Sequence, residues 1–285
     1  MRIGISSPIV VQQPGIASAW EADAGIAELA SIAELADRLG FHHMSCSEHV
    51  ALPRSAESRG TTYWDPLATL GYLAARTERL RLLTQVLVLG YHHPLEIAKR
   101  YGTLDRVSNG RLVLGVGVGS LEEEFDLLDA PFADRGARAD EAMQALRASL
   151  GVAEPEFHGT YYDYSGMVVQ PHAVQPRVPL WVGGRSQRSL RRAVTLGEGW
   201  LPFGLNGDQL KQMLAKFELP EGFDVVLSAG ALDPIGDPDG ARGKIDRTVS
   251  YGATVVAAQI KAENADHYCE QLAALAELTD LSPTS

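Results

Sequence analysis

Short runs of β-branched and other apolar residues alternate along the chain with stretches in which apolar residues recur every three or four positions. The first pattern has the period of a strand, the second that of an amphipathic helix. Strands are predicted at 2–6, 42–47, 80–89, 111–117, 180–184, 199–203, 224–229 and 254–260. Ala27–Leu39 keeps helical spacing and stops at Gly40, a suitable C-cap. Asp65-Pro66 and His93-Pro94 put proline at a first helical position, where its missing N–H costs nothing. Ser120 with Glu123 has the spacing of a capping box, and Ser186 or Asn264 could cap later helices.

Eight strands alternating with helices point to parallel pairing with both faces covered. At roughly 36 residues per unit the chain suits a (β/α)₈ TIM barrel, with a doubly wound open sheet as the rival. The barrel is preferred because the eight units reach both ends and no linker-like segment divides them. Residues 1–285 are therefore expected to form one α/β domain. The irregular stretch 154–178 falls between the fourth and fifth strands and contains Tyr161, Tyr162, Tyr164 and three prolines. It is expected as an excursion over the barrel mouth.

Composition narrows the partners. With 25 Lys+Arg against 36 Asp+Glu the formal net charge is −11, and no long basic run offers a surface for nucleic acid. Apolar stretches such as Leu112–Val118 are far too short to span a bilayer. The first eight residues read as a strand rather than a signal peptide. Two cysteines, Cys46 and Cys269, can build neither a disulfide framework nor a four-ligand zinc site. A cytoplasmic protein acting on a small molecule, without nucleic acid or membrane as partner, is the expectation.

In a barrel, chemistry gathers where strands end and βα loops begin. The second strand ends Cys46-Ser47-Glu48-His49. An acid beside an imidazole there supplies a proton donor or acceptor with a possible orienting partner. Neighbouring strand residues face opposite ways, so a direct Glu48–His49 pair is not expected; the alternative is a surface histidine beside a capping acid. The fourth strand runs into Gly115-Val116-Gly117-Val118-Gly119-Ser120, glycines that allow close backbone approach to a flat ring or simply a tightly packed strand. Their spacing is wrong for a dinucleotide fingerprint, and Glu122, Glu123 and Glu124 would repel a pyrophosphate at that helix end.

The turn after the fifth strand reverses the electrostatics. Gly183-Gly184-Arg185-Ser186 frees backbone amides at a helix start, and Arg185, Arg188, Arg191 and Arg192 follow without an acid among them. Aligned N–H donors, the positive end of a helix and guanidinium forks are what a phosphate site requires. Arg191 and Arg192 are expected on the solvated surface, and the whole run could equally be an ordinary turn before a basic helix. The histidine pairs 42/43 and 92/93 lack a carboxylate cluster at ligand spacing, so no metal site is expected. There is no Gly-x-Ser-x-Gly elbow either.

Taken together, the TERLRL, SNGRLVLGVG and WVGG…GEGWLP blocks, with SEHVALP near residue 50 and Phe157–Gly159, strongly resemble the bacterial luciferase-like flavin and deazaflavin oxidoreductases over roughly residues 1–205. Within that superfamily the chain looks most like the subgroup using the deazaflavin coenzyme F420. The resemblance implies a TIM barrel with the ring at the strand C-termini and the family's acid–histidine pair at Glu48-His49. It implies a non-prolyl cis peptide at Gln85-Val86 buttressing the ring, with Thr84 also contacting the coenzyme. Backbone contact would come from Gly117, Val118 and Gly119, and the phosphate turn from Gly183, Gly184, Arg185 and Ser186. His49 would then donate or accept the proton during hydride transfer, Glu48 would position the ring or tune His49, and Ser6, Ser7, Ser120 and Tyr161 would shape the substrate cavity. Gln85 stands where relatives have a small residue, Ser120 where they often have Trp. Pro53 replaces a pocket tryptophan of sugar-phosphate dehydrogenases, which argues against that substrate. A homodimer is also implied. The alternatives are an FMN-dependent monooxygenase served by a separate flavin reductase, which shares every named residue, and a non-catalytic flavin-binding barrel.

Overall fold

A computed structural model describes residues 1–282; the last three positions of the expected 1–285 domain lie outside the described residues. The eight barrel strands are β1 (Arg2–Ser6), β2 (His43–Cys46), β3 (Arg81–Thr84), β4 (Leu112–Gly117), β5 (Leu180–Gly183), β6 (Gly199–Leu201), β7 (Asp224–Leu232) and β8 (Val255–Ile260). Each pairs in parallel with its sequence neighbour, and β1 pairs with β8, so the sheet closes on itself. The predicted run 80–89 is interrupted after β3 by a cis Gln85–Val86 bond, beyond which Leu87–Val88 resumes pairing with Val116 and Gly117.

The helices are α1 (Ile26–Leu39), α2 (Pro66–Arg76), α3 (Pro94–Val107), α4 (Glu122–Leu127), α5 (Arg135–Ser149), α6 (Gln187–Leu196), α7 (Gly207–Leu214), α8 (Pro238–Ser250) and α9 (Ala265–Leu278). Gly40 takes φ 86° after α1, as a left-handed C-cap requires. The carboxylate of Asp65 accepts from Ala68 N–H ahead of Pro66, and the Asn264 side chain accepts from His267 N–H. The expected Ser120–Glu123 box does not form: α4 starts after Leu121, and the exposed Ser120 hydroxyl instead accepts from Arg59 at 3.3 Å. No described helix is long and apolar enough to cross a membrane.

Two apolar layers hold this arrangement. One lies between sheet and helices, and a smaller one, including Leu83, Val113, Trp181, Val226 and Val255, fills the barrel itself. At the N-terminal end of the barrel His42 stacks on Trp181, and the fully buried His43 ring occupies the space a side chain at Gly4 would need. Burial, with Arg81 and Arg2 nearby, pushes His42 down to about 3, so this pair packs as neutral rings. Gly115 has a comparable role near the mouth. A Cβ there would overlap the carbonyl oxygen of Thr84, whose own hydroxyl donates to Gly115 O at 2.7 Å. Gly115→Ala should cost about 1–3 kcal/mol, read as a lowered thermal midpoint with unchanged far-ultraviolet dichroism; an unchanged midpoint would count against this packing.

The 154–178 segment does not lie over the mouth. Its hairpin, Phe157–His158 with Asp163–Tyr164, packs on the outer face of α5, where Glu141 accepts three backbone N–H groups of residues 160–162 and the Tyr164 hydroxyl meets Ser149 at 2.7 Å. Further on, the N–H groups of Val174 and Gln175 are anchored to Asp105 of α3 at 2.9 and 3.0 Å. The tyrosines and prolines thus clad two helices, and the mouth stays open.

Candidate active site

Glu48 and His49 follow β2 at the mouth, and each finds a partner from elsewhere in the chain. Glu48 Oε1 lies 2.7 Å from His92 Nε2, and its Oε2 accepts from Val88 N–H at 2.7 Å. His49 Nδ1 lies 2.8 Å from Glu124 Oε2. Glu124 is the hub of this corner. Its Oε1 accepts from the N–H groups of Val50 and Ala51 at 2.5 and 3.1 Å, and its Oε2 also accepts from the Tyr91 hydroxyl at 2.7 Å. Burial alone would push the Glu124 carboxyl up. The donors from His49, Tyr91, Val50 and Ala51 outweigh it and hold the group below the ordinary carboxylate range. The acid therefore stays ionised, which fixes Nδ1 of His49 as the donor towards it. Nε2 has no hydrogen-bond partner among the described residues, and the ring is held edge-on by Tyr63 at 4.6 Å.

Glu124 was not separable from Glu122 and Glu123 by charge. Its position carries the signal: with Leu121, Phe125 and Leu128 it falls on the apolar face of α4, and it is buried while the two preceding acids are exposed. Tyr91, His92 and Tyr63 carried no such mark in the sequence.

His49 faces a cavity of about 720 Å³ at the C-terminal end of the barrel. Val86 forms its floor between Gly117 and Gly183; a Cβ would come within 2.6 Å of Val86 at the first and 2.8 Å at the second. The chain turns at Gly119 (φ 77°), packed on Phe125 and Val88, and Val118 faces the same space. Gln85, Val86 and residues 117–119 therefore bound one end. Gly183, Gly184, Arg185 and Ser186 bound the other. Gly184 has φ 135°, and its N–H donates to Leu201 O at 3.2 Å. The Ser186 hydroxyl accepts from Ser189 N–H at 3.2 Å and so caps α6, leaving the first-turn N–H groups of Gln187 and Arg188 free of intrahelical partners. Arg185 and Arg188 are exposed at this end, with no carboxylate in ion-pair range among the described residues. Arg192, expected on the surface, is instead buried at the cavity wall. It pairs there with Asp140 and donates to Gly136 O, which the cramped junction of α5 and α6 requires. Arg135 adds another cation, resting on Phe132 and donating to Gly119 O at 3.2 Å.

Other expected residues are placed elsewhere. Thr84 is fully buried in the barrel wall and does not reach the cavity. Tyr161 sits beneath Arg138 on the outside of α5, 4.4 Å from the guanidinium carbon. Ser120 lies on the cavity rim, whereas Ser6 and Ser7 line a separate, adjoining cavity.

The chain is similar to a monooxygenase from Streptomyces bottropensis (25% identity, TM-score 0.78, covering 97% of this chain and 98% of that one). The coenzyme F420-dependent tetrahydromethanopterin reductase of Methanopyrus kandleri shares the fold at 16% identity and TM-score 0.74, with 97% of each chain covered. An uncharacterised protein of Mycobacterium tuberculosis is 29% identical over 274 residues, 90% of this chain and 95% of its own. The oxygenase component of a flavin-dependent trigonelline monooxygenase from Acinetobacter baylyi is 27% identical over 196 residues, 67% of this chain and 52% of its own. The family profile described as luciferase-like monooxygenase matches residues 1–254. That match spans most of the chain, which therefore belongs to the luciferase-like monooxygenase family.

Proposed function

We propose that the protein is an oxidoreductase that binds the deazaflavin coenzyme F420 in the larger cavity and exchanges a hydride with a small organic substrate. The observation that carries the chemistry is the His49–Glu124 pair, which presents an unengaged Nε2 to the cavity. The cavity fits such a coenzyme in two respects. Its floor of Val86 and glycine backbone is flat and uncharged, suiting an aromatic ring. Its far end joins the start of α6 to Arg185 and Arg188, suiting a phosphate and further anionic groups.

When bound, F420 supplies a carbon centre that takes up or releases a hydride. His49 Nε2 removes the proton from a substrate hydroxyl in one direction and returns it to the carbonyl oxygen in the other. Glu124 holds the imidazole in the required tautomer. Glu48 does not touch His49; through Val88 N–H and His92 it fixes the backbone that follows the Gln85–Val86 bond. Much of the acceleration comes from holding the two reactants in register.

The second reading is an FMN-dependent monooxygenase served by a reductase, favoured by the 25% and 27% identical relatives, both named as monooxygenases. Parallel fluorescence titrations with F420 and FMN separate the two. Micromolar or tighter F420 with weaker FMN is expected, and the reverse order moves the function to oxygen insertion. Detectable binding of neither favours a barrel without catalysis. Arg188→Glu should weaken F420 binding roughly tenfold or more while leaving the thermal midpoint unchanged.

A further inference from the structure

A second cavity of about 400 Å³ adjoins the first and meets it at Ser47, Gln85 and Phe203. It is built from the C-terminal ends of β1, β7 and β8. Its character differs from that of its neighbour. The first cavity is rimmed by guanidinium groups; the second is lined by hydroxyls and amides, among them Ser6, Ser7, Ser228 and Gln259, interleaved with apolar side chains such as Ile260.

No cationic side chain lines it among the described residues. Glu21 is its acid, and both carboxylate oxygens are committed, accepting from Ile9 and Ser18 N–H at 2.7 Å each. Burial pushes the Tyr268 phenol well up, so that group is a neutral hydroxyl. Among the described residues, three polar atoms of the wall have no hydrogen-bond partner: Ser7 Oγ, Gln85 Oε1 and Tyr268 Oη. Leaving such buried groups unpaired is costly, and several in one cavity point to a ligand that supplies the missing hydrogen bonds. An anion placed there would lose its hydration and meet no counter-charge, only the Glu21 carboxylate. Gln85 Oε1 can only accept, so the ligand must bring a donor.

We propose that this cavity is the substrate chamber and that it takes a molecule without negative charge, carrying a hydroxyl or amide N–H in addition to its reacting alcohol or carbonyl. This rests on the larger cavity holding the coenzyme, and it explains a division of labour within one mouth: anionic coenzyme against arginine, a substrate without negative charge against serine and glutamine. Gln85 stands at the boundary between the two.

The test compares three probes by ligand-observed NMR: hydroxycyclohexanone, cyclohexanone and oxocyclohexanecarboxylate. Each is titrated with F420 bound, with FMN bound and with neither, so a failure to bind F420 overturns the coenzyme reading without disturbing the ranking of probes. The hydroxylated ketone should bind about two- to tenfold tighter than cyclohexanone and at least tenfold tighter than the carboxylate. Ser7→Ala should remove most of the preference for the hydroxyl. Gln259→Arg should raise carboxylate binding at least tenfold by supplying the missing counter-charge. Carboxylate binding equal to that of the hydroxylated ketone in the unaltered protein would overturn the proposal. So would failure of the hydroxylated probe to bind, or a hydroxyl preference that survives Ser7→Ala without any gain in Gln259→Arg.

Discussion

His49→Gln should lower kcat/KM for the coenzyme-linked reaction by about 10²–10⁴-fold, the range for removing a positioned general acid or base. Coenzyme affinity should change by only a few-fold. The glutamine amide reaches the position of Nε2 but cannot exchange a proton there. Rate and affinity therefore separate: stopped-flow kinetics report the loss, and fluorescence titration the retained binding. An equal loss in both would mean that His49 acts as a wall of the cavity and leaves the proton to another group. The second cavity sharpens this expectation, because it meets the first at Ser47 and Gln85, two and one residues respectively from His49 and the Val86 floor.

Glu124→Gln should affect folding as well as rate. The wild-type carboxylate accepts from four donors at once: His49 Nδ1, the Tyr91 hydroxyl and the N–H groups of Val50 and Ala51. An amide offers one accepting oxygen and turns an NH₂ group towards the rest, so at least one buried donor pair is left opposed. The expected cost is about 3–5 kcal/mol, as for a broken buried ion pair, visible as a lower denaturation midpoint. pH gives a second signature. The folded Glu124 carboxyl sits below its unfolded value. Its contribution is therefore complete above the ordinary carboxylate range and is lost as pH falls through the lower folded value. Glu124→Gln should flatten that acid limb of the stability curve, whereas an acid limb identical to wild type would remove Glu124 as the hub.

The sequence carried the architecture further than the site. Strand and helix periods survive single substitutions, and caps such as Asp65-Pro66, Gly40 and Asn264 mark element ends through local hydrogen bonds. The floor and the α6 turn were also readable, because glycines at 117, 119, 183 and 184 answer backbone demands that other residues cannot meet. Pairings across the barrel were not. Glu48 and His49 are neighbours in sequence, yet their partners His92 and Glu124 stand 44 and 75 positions away. Only the closed sheet brings those loops together. Arg192 and the 154–178 segment show the same limit from the other side. Polar and irregular residues look solvated in sequence, but one became the buried partner of Asp140 and the other the cladding of α3 and α5. Thr84 differs again: a hydroxyl at a strand end reads as a ligand contact until its partner, the Gly115 carbonyl, is seen.

The most direct measurement is a crystal structure of the protein with F420. The ring should lie against Val86 and Gly117–Gly119 within reach of His49 Nε2, with the phosphate on the first-turn N–H groups of α6 between Arg185 and Arg188. A ring bound away from the Val86 floor, or a phosphate that leaves the α6 turn untouched, would contradict the assignment of coenzyme and histidine alike.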